Sequence, residues 1–116
     1  MVIIEGIDVK AKKIPKKQLV SSWKLLSKKP LPKIIALQLK DNDFNRVICL
    51  RRCVEDMQRE LDEWGYILTT EGTDACVFNA EEKSGSEYII LIREKPYHNL
   101  KTILTHELTH IVEGDL

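Results

Sequence analysis

The longest regular pattern of hydrophobic positions lies in the middle of the chain, where such residues recur every three or four positions. They are Val47, Leu50, Val54, Met57, Leu61 and Trp64. This spacing places them on one face of a helix. We therefore predict a long helix over about 43–64, with Asp41-Asn42-Asp43 as its cap and Gly65 as its end. The stripe is typical of a core-facing surface and contains no cofactor-binding motif.

A second helical pattern lies close to the C-terminus. Asn99 suits an N-cap, and Gly114 suits the residue that ends a helix. The hydrophobic positions between them follow helical spacing and are Leu100, Ile103, Leu104, Leu108, Ile111 and Val112. They cover one broad side of the predicted helix, so we expect polar residues at the border of that side to reach a cleft.

A shorter helix is predicted from Pro15 to about Ser27, because proline is well suited to the first turn of a helix. Its hydrophobic positions are Leu19, Val20, Trp23 and Leu26. The prolines at positions 30 and 32 disfavour helix just before them, so this helix is expected to end by then.

The remaining hydrophobic runs predict strands. The run at 34–39 is short enough to be a strand or a helix, and its composition favours a strand. The predicted strands are Val2–Val9 at an edge, Ile34–Leu39, Tyr66–Thr70, Ala75–Ala80 and Glu87–Arg93. Because the loop at 81–86 is polar and contains glycine, the last two strands are expected to form a hairpin.

The order of these elements indicates an α+β fold. It has strand and helix alternating twice, then a small, mainly antiparallel sheet, then the C-terminal helix. At 116 residues, with no repeat and no long linker, the chain 1–116 is expected to form one domain with one modest core.

Charge and hydropathy exclude several classes of partner. Lysine plus arginine and aspartate plus glutamate both number 18, so the formal net charge is zero. Because the chain has no net positive charge to attract nucleic acid, we expect no nucleic-acid partner. No apolar run is long enough to cross a bilayer, so we also expect no membrane partner. The lysines concentrated before position 30 are more typical of a solvated helix face. Without a visible signal peptide, we expect a cytoplasmic protein.

The three cysteines, Cys49, Cys53 and Cys76, are an odd number in a chain with no visible export signal. Thiols in a reducing compartment are the simplest interpretation. Cys49 and Cys53 share a predicted helical face, but a metal site there would need further ligands, and none is evident nearby. A spatial pairing of one thiol with a histidine stays open.

The most informative residues are His106-Glu107-Leu108-Thr109-His110, which form an H-E-x-x-H motif within the C-terminal helix. A spacing of four residues puts His106 and His110 on one helical face, one turn apart, where two imidazoles can bind one Zn²⁺. Glu107 is then placed to take a proton from water that the metal activates. The motif predicts a zinc centre with Glu107 as general base.

This motif, the strand at 87–93 before it and the long helix at 43–64 together resemble the minimal gluzincin (minigluzincin or selecase-like) zinc metallopeptidases. The ImmA/IrrE-type proteases, which share the strand-then-motif order, are a second resemblance. Either implies a zincin-like domain in which the helix at 43–64 backs the sheet. It also implies a zinc-dependent peptidase that binds a peptide or protein substrate along the strand pair.

A catalytic zinc needs a third protein ligand, which gluzincins take from a glutamate well downstream. Glu113 is the nearest carboxylate after the motif and is the first candidate for the third ligand. It lies about 10.5 Å along the helix axis from His106, which makes it hard for both to reach one ion. The alternatives are Asp115, the carboxylate of Leu116, a donor elsewhere in the chain or in another subunit, and a downstream segment that this chain lacks through truncation.

Two function classes stay open on these grounds. The first is a peptidase, active or held latent by its terminus or by self-association. The second is a non-catalytic zinc-binding regulatory module.

A peptidase also needs a group that stabilises the oxyanion. Tyr97 and His98 are the nearest candidates in sequence. For both residues we favour a structural role at the start of the C-terminal helix.

Overall fold

The computed structural model describes residues 2–4, 6–52, 74–80 and 85–114. Its elements in chain order are β1 (Val2–Ile4), β2 (Ile7–Val9), β3 (Ala11–Lys13), α1 (Lys16–Trp23), β4 (Ile34–Leu39), α2 (Asp41–Arg52), β5 (Ala75–Asn79), β6 (Tyr88–Arg93) and α3 (Leu100–Glu113). Helices and strands thus occur together as predicted, and the α+β class is confirmed.

The main sheet has four strands in the order β3-β4-β6-β5. Its two central strands, β4 and β6, run parallel, with Ile34 opposite Tyr88 and Leu39 opposite Arg93. The outer strands, β3 and β5, are antiparallel to their neighbours. The sheet is therefore mixed, and the prediction of a mainly antiparallel sheet missed its central parallel pair. The alternation of residues along a strand does not indicate which other strand of the chain will pair with it.

The central strands are apolar along most of their length because both faces of the sheet are covered. On one face, strand residues pack with α1 and α3, and this cluster includes Ala36, Ile90, Ile92, Leu19, Trp23, Ile103, Leu104, Leu108 and Ile111. On the other face they pack with α2 and the β1–β2 hairpin, in a cluster that includes Leu37, Leu39, Leu91, Phe44, Val47, Ile48, Ile4 and Val9.

The N-terminal segment corrects the prediction of a single edge strand over Val2–Val9. It forms two antiparallel strands, β1 and β2, that face each other across a turn. Gly6 in this turn has a φ of 77°, a conformation that glycine adopts without the steric cost of a side chain. A third strand that was not predicted, β3, follows and joins the main sheet beside β4.

The first helix is shorter than predicted. Pro15 is its N-cap, and α1 ends at Trp23 rather than near Ser27. Beyond Trp23 the backbone forms tighter turns, in which the N–H groups of Leu25 and Leu26 donate to carbonyls three residues earlier. The Trp23 indole N–H also donates to the Lys29 carbonyl over 2.7 Å, which holds the returning chain against the helix end.

Helix α2 packs on the face of the sheet opposite to α3, and its described part ends at Arg52. Residues 53–64 of the predicted helix, Gly65 after it and the predicted strand Tyr66–Thr70 lie outside the described residues. Asp41 belongs to the first turn rather than to a cap, and the Lys40 carbonyl accepts the N–H of Phe44. The Asp41 carboxylate instead accepts the backbone N–H of Lys95.

The predicted hairpin before α3 is confirmed, since β5 and β6 pair in antiparallel register with Ala75 opposite Ile92 and Asn79 opposite Tyr88. The strands are each slightly shorter than predicted, at Ala75–Asn79 and Tyr88–Arg93. Among the helices described, none has the length and apolar character that crossing a bilayer requires.

The two-sided core gives a direct stability prediction. Leu91 is fully buried in the centre of β6, whereas 63% of Leu25 is exposed. Leu91→Ala should lower the free energy of unfolding by about 2–5 kcal/mol, because it leaves a cavity in a packed sheet layer. Leu25→Ala should change it by less than about 0.5 kcal/mol. Urea unfolding of both variants measures this, and equal losses would contradict the assigned core.

Candidate metal centre

Helix α3 carries the H-E-x-x-H motif and begins and ends where its sequence predicts. The Asn99 side-chain oxygen accepts the backbone N–H of Thr102 over 2.8 Å, which makes Asn99 the N-cap. Gly114 ends the helix with a φ of 68°, and its N–H donates to carbonyls of the last turn. The helix is thus fixed at both termini by its own side chains and glycine.

The buried side of α3 determines where the motif points. Leu104 and Leu108 are fully buried against the sheet, so His106 lies on the open side and His110 at its half-buried border. Val112, predicted as part of the apolar stripe, is exposed instead. It lies one residue beyond buried Ile111, where the helix has turned away from the sheet.

The two motif histidines converge. Their Nε2 atoms lie 3.3 Å apart, and their rings meet edge to face with centroids 4.9 Å apart. Two imidazole nitrogens bonded to one tetrahedral Zn²⁺ at about 2.0–2.1 Å lie about 3.3–3.4 Å from each other. The same separation allows an N–H···N hydrogen bond between the rings. The distance between the two nitrogens therefore matches the distance between two ligands of one tetrahedral zinc ion.

Glu107 faces the protein rather than the solvent and is only 6% exposed. Burial raises the pKa of this carboxyl group, while the charge that His106 and His110 carry when protonated acts in the opposite direction. A carboxyl group with a raised pKa is a stronger base than an exposed one, which suits it to accept and return a proton within one reaction.

A cleft of about 320 Å³ opens beside His106 and Glu107. Its walls come from three places in the chain: the start of β5, the segment before α3 and the first three turns of α3. The lining residues are Asp74, Ala75, His98, Thr102, Ile103, His106 and Glu107. The volume is in the lower range of small-molecule and peptide side-chain sites.

The structure places an aspartate and a histidine in this cleft that form a hydrogen-bonded pair. His98 Nδ1 lies 2.6 Å from an oxygen of Asp74, whose carboxylate also accepts the backbone N–H groups of Tyr97 and His98. Burial opposes ionisation of Asp74, but these hydrogen bonds together outweigh it and lower the pKa of its carboxyl group. Asp74 thus ties the segment before α3 to the start of β5.

His98 therefore lines the cleft, which revises its interpretation as a residue of the helix entrance alone. Asp74 was not identified from the sequence as a site residue, since 24 positions separate it from His98. The weak sequence features that pointed to it are an acidic residue directly before a strand and a histidine directly before a helix N-cap.

Tyr97 lies elsewhere. It does not line the cleft, and its ring packs on the guanidinium of Arg93, whose Cζ is 5.6 Å from the ring centroid. Arg93 is itself buried over the ring of Phe44 and donates a hydrogen bond to Asn45. Tyr97 is therefore part of a structural cation–π stack at the end of β6.

The third metal ligand stays a prediction. Glu113 is exposed at the last residue of α3, and Asp115 and Leu116 lie outside the described residues. Over the ranges that the structure describes, no three His, Cys, Asp or Glu side chains form a group able to hold a metal ion. Cys76 is a half-buried thiol on β5, and the side chains of Cys49 and Cys53 are not described.

Comparison with protein-family models, with curated proteins and with solved structures finds no match for this chain. Any function must therefore be inferred from the residues themselves and from the geometry in which the fold holds them.

The Asp74 hydrogen bonds predict a pH-dependent stability. Because the pKa of folded Asp74 lies below its ordinary value of 3.8, its contribution to stability is fully present well above pH 4 and is lost as the pH falls through the folded pKa. Asp74→Asn should lower the free energy of unfolding by about 2 kcal/mol near pH 7, and this difference should shrink toward pH 3. Urea unfolding of parent and variant between pH 3 and 7 tests this. A difference that grows on acidification would contradict it.

Proposed function

We propose that the chain is a zinc-dependent peptidase that hydrolyses peptide bonds in a peptide or protein substrate. The observation that supports this most is the convergence of two imidazole Nε2 atoms, 3.3 Å apart, beside a buried carboxyl group at a cleft. A structural zinc site has no use for a base at the position of Glu107, whereas a hydrolytic site requires one.

The donor set suits zinc in particular. Imidazole nitrogens prefer borderline metals, and two of them one helical turn apart occupy two corners of a tetrahedron. His106 and His110 would hold the ion. When bound, zinc supplies Lewis acidity, which acidifies a water molecule and polarises a carbonyl group. We propose Glu113, or a donor outside the described residues or in a second copy of the chain, as the third ligand.

Glu107 carries the proton in the proposed reaction. As the oxygen of water bonds to the carbonyl carbon, Glu107 accepts the proton that this water loses, and the carbonyl π electrons move onto oxygen. When these electrons return, the C–N bond breaks, and Glu107 delivers its proton to the departing nitrogen. The products are a carboxylic acid and an amine, and the acid then passes its proton to the amine to give a carboxylate and an ammonium group. Because its pKa is raised, Glu107 holds the accepted proton more firmly than an exposed glutamate would.

The motif, the preceding strand β6 and the helix α2 behind the sheet support a zincin-like domain of the minimal gluzincin type, with an ImmA/IrrE-type protease as the second resemblance. We propose a cytoplasmic enzyme on the same grounds. The second candidate function is a latent or non-catalytic zinc-binding regulatory module. It is favoured by one observation, namely that no third donor joins the two histidines within the described ranges.

Zinc binding should depend on the two motif histidines. The parent should bind one equivalent of zinc, and the His106→Ala/His110→Ala double variant should lose it, while its fold persists because the core lies on the other side of α3. His98→Ala is the matched control, since it removes a third imidazole and should retain zinc. Metal analysis after dialysis measures this, and full zinc content in the double variant would refute the site.

Catalysis should depend on Glu107. Glu107→Gln preserves shape but removes the proton acceptor, so hydrolysis should fall by about 10²-fold or more while zinc content is unchanged. Glu94→Gln, a change at an exposed glutamate outside the cleft, serves as the control. Cleavage of a fluorescence-quenched peptide library by zinc-loaded protein provides the measurement. Equal rates for the parent and Glu107→Gln would show that Glu107 is not the base.

A further inference from the structure

The zero net charge of the chain conceals a separation of charge along the sequence. Residues 1–40 contain ten lysines, no arginine and two acidic residues, which gives a formal charge of +8, so the remaining residues carry −8. All ten lysines are exposed, and only Lys16 and Lys17 belong to α1. They therefore do not form the solvated helix face that was expected. A separation of this kind points to a partner of opposite charge.

Three of these lysines, Lys13, Lys16 and Lys33, line one cleft of about 490 Å³, which we call the lysine cleft. We propose that the lysine cleft is a docking site for an acidic segment of another polypeptide, in which carboxylates alternate with apolar side chains. The lysine cleft and the cleft at the candidate metal centre have no lining residue in common. The inference does not depend on the proposed peptidase function.

Three parts of the fold meet at the lysine cleft. Lys13 ends β3, Lys16 begins α1, and Lys33 directly precedes β4. Strands β3 and β4 are hydrogen-bonded neighbours in the sheet, and just beyond their last pair the Ile14 N–H donates to the Ala36 carbonyl over 2.9 Å. The backbone positions of the three lysines are therefore set by the sheet and by the first turn of α1, while their side chains stay exposed.

The positive charge of the lysine cleft is not compensated by the residues around it. No aspartate or glutamate is among the described residues that line it. Within the described part of the chain, the ion pairs involve Arg46, Arg93 and His98 and none of the three cleft lysines. Glu87 accepts the backbone N–H of Lys33 over 2.9 Å but does not line the cleft. Three ammonium groups thus share one opening, where carboxylates of a partner can pair with them.

Apolar side chains also line the lysine cleft. Leu31, Pro32 and Ile34 are only half-buried there, and Pro15 is exposed. An apolar centre with a charged rim is the usual arrangement of a protein–protein interface. Apolar side chains of a docked segment would remove this surface from water, while the lysine stems lie along it and keep their charged ends at the rim. The lining therefore fits a segment with both carboxylates and apolar side chains.

The composition of the lining favours a polypeptide over a nucleic acid. Neither arginine nor an aromatic side chain is among the described residues that line the lysine cleft. Bases of single strands stack on aromatic faces, and bidentate phosphate binding requires the guanidinium fork of arginine. Protein–nucleic acid interfaces are also more polar than protein–protein interfaces, whereas this cleft has several apolar side chains.

Fluorescence anisotropy of the full chain, without added metal, tests the proposal with a short labelled peptide in which glutamates alternate with leucines. One comparison peptide has glutamine in place of each glutamate, which removes the charge. A second has serine in place of each leucine, which removes the apolar side chains. Binding is measured at low salt and again at about 0.15 M salt, where exposed ion pairs are screened.

Two triple variants with the same change of charge are compared with the parent. The site variant is Lys13→Gln/Lys16→Gln/Lys33→Gln. The matched control changes three exposed lysines of the same N-terminal region that do not line the cleft, as Lys24→Gln/Lys28→Gln/Lys29→Gln. Circular dichroism of both variants is recorded with the parent, and we expect all three spectra to agree because every changed side chain is exposed.

We expect the parent to bind the glutamate–leucine peptide and to bind either comparison peptide at least about fivefold more weakly. The site variant should bind the glutamate–leucine peptide at least about tenfold more weakly than the parent, since each exposed ion pair contributes up to about fivefold in affinity. The matched control should stay within about threefold of the parent. Raising the salt should weaken binding by the parent more than binding by the site variant.

Several results would overturn the proposal. They are no binding of the glutamate–leucine peptide by the parent, and equal affinities for the site variant and the matched control. A labelled oligonucleotide that binds more tightly than the peptide, and only when the cleft lysines are present, would assign the cleft to nucleic acid instead. A dimer of the parent in sedimentation that the site variant abolishes would make a second copy the occupant. Each readout is binding or association, so failure here leaves the proposed peptidase function to its own tests.

Discussion

The parallel pairing of β4 with β6 is the interaction on which the rest of the structure depends. These two strands form the centre of the main sheet, and their side chains supply both hydrophobic clusters. Because β6 is buried on both faces, its end at Arg93 is fixed, and so is the start of the short segment that leads into α3. Strand pairing thus sets where the chain enters the motif helix, and Leu104 and Leu108 then pack that helix on the sheet.

Two further contacts position the residues of the candidate site on this sheet. Asn99 caps α3, and the Asp74 carboxylate holds the segment before the cap against the start of β5. The packed side of α3 then leaves His106 and His110 on its open border, with Glu107 turned inward. These positions bring together two imidazole nitrogens at the distance of two zinc ligands, a carboxyl group whose pKa is raised by burial, and an imidazole held by a carboxylate.

The features that could be predicted from the sequence are local ones. The caps of α3, the strand at 34–39 and the hairpin before α3 follow from residues close together in the chain, and all were confirmed. The parallel pairing joins Ile34 to Tyr88, 54 positions apart, and periodicity contains no information about such a partner. The Asp74–His98 bond was missed for the same reason. The turn at Gly6 was available to prediction, because an isolated glycine within a strand pattern often marks an interruption.

The central claim is that one zinc ion binds to the two motif imidazoles, and X-ray absorption at the zinc edge of protein loaded with one equivalent tests it most directly. The account predicts a first shell of nitrogen and oxygen at about 2.0–2.1 Å, with the outer-shell scattering of two imidazole rings. Sulfur scattering at about 2.3 Å would place the metal on the cysteines instead. Either that result or a shell without imidazole scattering would contradict the account.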